Sequence, residues 1–174
     1  KPILGIYTYK RYRDGEQFKV EGTSLKAQIF ELSHINPYKS AALLVTNSVG
    51  ESLLYFGDTG ADRIEKTDKL EKIWTAVAPL IKDNSLKAIL IETSFDNSRK
   101  DELLFGHLTP KLLNEELQVL AEKARQKDLA GLKVIITHLK PDGNQIEKIK
   151  KQYKNHNPTN VEFLYPEQGK LMRL

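Results

Sequence analysis

A layered α/β fold, with helices packed on a sheet, is predicted by three features of this 174-residue sequence. Before Gly57, short apolar or alternating runs are separated by turn residues; after Gly60, helical and strand periodicities alternate; and the later apolar runs end in polar residues. Strands followed by β-α-β-α-β leave helices no partner except the face of the sheet. The length suits one domain with a sizeable core.

Gln17-Phe18-Lys19-Val20 alternates weakly, Ala27 to Leu32 alternates clearly, and Ala41 to Thr46 and Leu53 to Phe56 are short apolar runs, so all four read as strands. Asp14-Gly15, Glu21-Gly22 and Val49-Gly50 separate them as turns. Asp68 with Glu71 three residues on has the form of a capping box. Leu70, Ile73, Trp74, Val77 and Ile81 then share one helical face, and Pro79 is expected to kink or shorten that helix. Lys87 to Ile91 is a buried-strand run. Thr109-Pro110 starts a second helix, because proline at the first helical position gives up no needed donor. Leu113, Leu117, Leu120, Ala121 and Ala124 continue it as an apolar stripe. Lys133 to Thr137 reads as a strand, Gln145 to Asn155 as a polar helix, and Val161 to Leu164 as a last strand.

Composition narrows the chemistry. Apolar residues make up 40% and charged residues 29%, as in ordinary globular domains, and no apolar run approaches the roughly 20 residues of a membrane span. The net charge of +4 and a pI near 9.1 invite a nucleic-acid reading. However, the densest basic stretch, Lys148, Lys150, Lys151 and Lys154, lies in a helical pattern with Glu147 alongside, so it reads as a solvated face and no nucleic-acid partner is expected. The absence of cysteine excludes disulfides, thiolate metal sites and a thiol nucleophile. The chain opens at Lys1-Pro2-Ile3-Leu4, with neither an initiator methionine nor a signal-peptide pattern, so targeting is not legible.

Three strand ends carry ionisable side chains. Leu53 to Phe56 runs into Asp58, Ala88 to Ile91 into Glu92, and Val134 to Ile136 into His138. Parallel sheets bind ligands at their carboxyl edge, so an aspartate, a glutamate and a histidine would gather there as a metal or acid/base constellation. Taken singly, Asp58 is equally a turn residue, Glu92 a cap or salt-bridge partner and His138 a surface histidine. His156, between two asparagines, is read as surface.

Phe56-Gly57-Asp58-Thr59-Gly60 resembles the metallo-β-lactamase motif whose aspartate bridges two metal ions. Ser33-His34 upstream resembles the third histidine motif of that superfamily, and Thr137-His138-Leu139-Lys140-Pro141 its final metal-binding histidine motif. Ile91-Glu92-Thr93-Ser94, Leu104-Phe105-Gly106-His107-Leu108-Thr109-Pro110 and Ile136 to Pro141 together are similar to the class II 3′,5′-cyclic-nucleotide phosphodiesterases. Ser33-His34, the Tyr38 to Leu44 segment and Ile73-Trp74 fit as well.

The resemblance implies the C-terminal portion of a metallo-β-lactamase-like αββα sandwich, spanning residues 1–174. It implies hydrolysis of cAMP or cGMP to the 5′-nucleotide. The metal ligands would be His34, Asp58 and His138, and the catalytic set Asp58, Glu92 and His107, with His107 oriented by Glu92 to meet the phosphate or the leaving 3′ oxygen. The cofactors implied are two divalent metal ions, zinc foremost, with manganese, iron or magnesium as substitutes. The superfamily's His-x-His-x-Asp-His motif is absent, so the N-terminal half of the same protein is an expected partner and this portion alone is expected to be inactive. A homodimer is left open, and a periplasmic location is favoured over the cytoplasm. Two alternatives stay open: a related phosphodiesterase acting on RNA ends, and a binding module without a metal site.

Overall fold

In the computed structural model, the described residues are 10–35, 37–127 and 129–172; the Lys1-to-Leu4 start lies outside them. They form one seven-stranded sheet in the order β1-β2-β3-β4-β5-β6-β7. The strands are β1 (Gln17–Lys19), β2 (Lys26–Ser33), β3 (Lys39–Thr46), β4 (Ser52–Phe56), β5 (Leu86–Glu92), β6 (Lys133–Thr137) and β7 (Glu162–Leu164). The first pairings, up to β3–β4, are antiparallel, and the remaining ones, from β4 to β7, are parallel. Consequently β2, β4, β5 and β6 all point the same way, and their carboxyl ends share one edge.

The crossovers carry α1 (Asp62–Glu65) and α2 (Lys69–Lys82), α3 (Pro110–Ala124) and α4 (Gln145–Asn155). Each parallel crossover steps one strand in the same direction along the sheet. Since such connections are right-handed, every helix lands on the same face. The core confirms this one-sidedness: Phe30, Leu32, Leu44, Leu54, Phe56, Ile89, Ile91, Val134 and Ile136 pack against Leu70, Trp74, Leu113, Leu117 and Tyr153. The opposite face carries Ile29, Leu43, Val45, Leu53, Tyr55 and Leu90, whose register makes them neighbours. None of these is buried, and Tyr55 is 50% exposed. Among the described residues the fold is thus a sheet with one helical layer, the arrangement expected for half of an αββα sandwich.

The expected strands and helices are present, with shifts of a residue or two at their ends. Two short elements carry no legible signal: α1 and a 3₁₀ turn at Asp101–Leu103. Asp68 stands at the N-cap position of α2, as expected, but the capping box does not form. The Asp68 side chain makes no cap hydrogen bond and instead pairs with Lys72 at 2.8 Å. Asp62 does the capping from α1: its carboxylate accepts from Leu70 N, Glu71 N and Thr67 Oγ1 at 3.1, 2.8 and 2.7 Å. Pro79 lies inside α2, which ends at Lys82, within a turn of it. Thr109-Pro110 starts α3 as expected, and the Thr109 side chain also caps it, accepting from Leu112 N. No helix among the described residues is long and apolar enough to cross a membrane.

Candidate metal and active site

The carboxyl edge gathers the ionisable residues. Asp58 follows β4, Glu92 ends β5, and His138 follows β6; His107 arrives on the loop between β5 and α3. One ligand atom from each of Asp58, Glu92, His107 and His138 lies within 4.8 Å of all the others. His34, just past β2, stands beside this group, with its ring centroid 4.9 Å from that of His107; His107 is in turn 5.1 Å from His138. All five side chains named from the sequence therefore meet in one place.

Their hydrogen bonds differ, and so does their available chemistry. Glu92 is almost fully buried. Its Oε1 accepts from His107 Nδ1 at 2.6 Å and from Thr59 N at 3.1 Å, and its Oε2 accepts from Ser94 Oγ at 2.7 Å and more distantly from Leu108 N at 3.5 Å. Four donors engage the whole carboxylate, so Glu92 sits behind His107 as its anchor. The acceptor at Nδ1 requires the hydrogen there, which leaves Nε2 of His107 as the atom open to chemistry.

His34 is anchored in the same manner, through Nδ1 to Gly106 O at 3.0 Å. Gly106 is obligatory at this contact: its φ is +72°, and a Cβ would lie 2.8 Å from His34 Nδ1 and 2.5 Å from Ile35 N. Neighbouring Phe105 and Ile35 also have positive φ, as does His138 at 53°. Left-handed non-glycine residues are costly and are held only where surrounding structure over-determines them. Three of them, Ile35, Phe105 and His138, stand at the site.

Asp58 and His138 face each other, with Oδ1 and Nδ1 3.0 Å apart, and both are partly exposed. Ser94 Oγ is also 3.2 Å from His138 Nδ1. Asp58 has no lysine or arginine partner among the described residues.

A family model, the class II cAMP phosphodiesterases, matches residues 15–162. The chain belongs to this family. It is 38% identical over 170 residues to a 3′,5′-cyclic-nucleotide phosphodiesterase of Aliivibrio fischeri, covering 95% of this chain and 51% of that protein. It is 34% identical over 171 residues to a probable 3′,5′-cyclic-nucleotide phosphodiesterase of Yersinia pestis, covering 95% and 49%. The crystal structure of unliganded yeast PDE1 matches with a TM-score of 0.78 and 27% identity over 92% of this chain and 48% of that one. The class II chain thus spans about half the length of the curated relatives it matches.

The site of this class II chain suits a divalent cation. Imidazole nitrogens with a carboxylate are donors that zinc, manganese and iron accept. A histidine whose second nitrogen is fixed by a carbonyl, as in His34, is the usual arrangement of a metal ligand. Two residues escaped sequence reasoning. Ser94 couples Glu92 to His138, and Gly106 sets His34. Both lie in strings that carry the family resemblance, but their roles appear only when strand ends meet.

Proposed function

We propose that the protein carrying this chain is a metal-dependent phosphodiesterase that hydrolyses 3′,5′-cyclic nucleotides to nucleoside 5′-monophosphates. The observation that carries the reading is the convergence of Asp58, His107 and His138 at one sheet edge, with Glu92 locked behind His107, in a chain of the class II family.

Water attacks phosphorus, the P–O3′ bond breaks, and the 3′ oxygen must acquire a proton. Bound divalent ions, zinc in this reading, would supply a water acidified towards neutrality and charge compensation for the phosphoryl oxygens. Asp58, His34 through Nε2, and His138 would hold them. Three ligands are too few for two ions that each take about four donors, so the remainder would come from the other half of the protein. The exposed apolar side chains on the sheet face away from the helices, Leu53 and Tyr55, support that division, since they offer the second half a surface to pack on.

His107 has a separate task. Because Glu92 engages Nδ1, Nε2 is presented at a fixed angle to the phosphate or the leaving oxygen. Positioned acid catalysis of this kind contributes about 10²–10⁴-fold. In the full-length protein, His107→Ala is expected to lose turnover by that factor while metal content is unchanged. Loss of bound metal in that variant would instead make His107 a ligand, and the assignment would fall.

A further inference from the structure

Beside His107 lies a group of residues that the proposed reaction has not used. Phe95 packs edge-on to His107, with centroids 5.8 Å apart. Two cations rest on its ring: the Arg99 guanidinium carbon is 4.5 Å and the Lys140 Nζ 4.6 Å from the centroid. Arg99 also reaches the half-exposed ring of Phe105, at 5.9 Å. The cations come from different loops, one following β5 and one following β6, so the sheet edge itself brings them together.

Like charges gathered on one small ring repel one another, and cation–π attraction offsets this only in part. A bound anion within reach of both would offset the conflict. None is supplied internally: neither Arg99 nor Lys140 pairs with a carboxylate among the described residues. Arg99 uses only Nε, donating to Leu103 O at 2.9 Å, which leaves its two terminal nitrogens free to form a fork. The acids flanking Arg99 in sequence are engaged elsewhere: Asp101 pairs with Arg63 at 3.2 Å, and Asp96 is turned to Ser98 N and towards Lys148. Arg63, by contrast, holds both Asp101 and Glu115.

We propose that Arg99 and Lys140, aligned on Phe95, form the subsite that receives the phosphate anion of substrate and product. This rests on the phosphodiesterase reading for the identity of the ligand. Arginine supplies two parallel donors to phosphate oxygens and lysine a point charge. Phe95 holds both cations on a ring that packs edge-on to His107, the residue the proposed reaction directs to the phosphate.

The test uses the full-length, metal-loaded protein and two probes, inorganic phosphate titrated by calorimetry and cyclic-nucleotide kinetics. Arg99→Gln and Lys140→Gln are each expected to weaken phosphate binding about tenfold and to raise KM similarly, with metal content and Tm unchanged. Arg99→Lys and Lys140→Arg should recover most of the loss. Unchanged phosphate affinity in both glutamine variants overturns the subsite. So does a fall in Tm in the charge-keeping variants too, because the cations would then be packing against another part of the protein. If the wild-type protein turns over no cyclic nucleotide, the reaction reading fails; the phosphate titration still decides the subsite on its own.

Discussion

Gly106 shows how much of this site depends on single backbone positions. Its left-handed conformation turns its carbonyl to His34 Nδ1, and its missing side chain leaves room for the His34–Ile35 backbone. Gly106→Ala should therefore push His34 aside. Losing the partner of a metal-binding histidine costs about 10–100-fold in metal affinity, which a competition titration against a chelator would read. Gly131 provides the control: its φ is +86°, but nothing lies within 4 Å of a Cβ built there. Gly131→Ala should lower stability through backbone strain and leave metal affinity alone. Equal metal affinities in the two variants would refute the role given to Gly106. Glu92 teaches a related lesson. A buried carboxylate survives because four donors compensate it, and that same saturation turns it from a ligand into a support for His107.

Among the elements, α2 carries the largest fully buried side chain, Trp74, and its entry is controlled from a neighbouring helix. Asp62 of α1 receives Leu70 N and Glu71 N, so the two helices are fastened end to end. Loss of a cap typically costs about 1 kcal/mol and up to 2. Asp62→Ala should show that loss in urea denaturation, whereas Asp68→Ala, which breaks only an exposed pair with Lys72, should stay within about 0.5 kcal/mol. The reverse order would restore the capping box read from the sequence. A second fastening joins α2 to α3. Glu116 accepts from Trp74 Nε1 at 2.9 Å and from Asp62 N at 3.1 Å. Burial pushes its carboxyl above the ordinary carboxylate range. Its folded-state pKa being raised, its contribution to stability is complete below the unfolded value of 4.5 and fades as pH rises through the folded value.

On the scale of the whole molecule, one-handed crossovers in one direction leave the described residues as a sheet with helices on one side only. The other side presents Ile29, Leu43, Val45, Leu53, Tyr55 and Leu90 in adjoining registers. Exposed apolar patches of this kind mark contact surfaces. If the other half of the protein covers this face, Leu53→Thr with Tyr55→Thr should make the 174-residue chain less aggregation-prone when expressed alone. The same pair should destabilise the full-length protein by about 2 kcal/mol or more, since burying these side chains is worth roughly 1.5–3 kcal/mol each. Full-length stability unchanged by the double substitution would mean that the face stays open to solvent.

Much of this was legible in the sequence. Apolar runs of period 2 and 3.6 placed the strands and helices, because burying those side chains is what the periods serve. Thr109-Pro110 marked a helix start through chemistry confined to a few residues. The polar residues after Phe56, Ile91 and Ile136 showed where a site would form. The fold alone decided who touches whom. Asp62 displaced Asp68 as a cap because α1 brings it there from outside the helix, and no local pattern encodes that. Phe95, Arg99 and Lys140 meet across two loops, and Glu92 became a support for His107 through donors drawn from Thr59, Ser94 and Leu108. Local preferences act over neighbouring residues, whereas hydrogen-bond saturation and charge grouping depend on segments that only the sheet brings within reach.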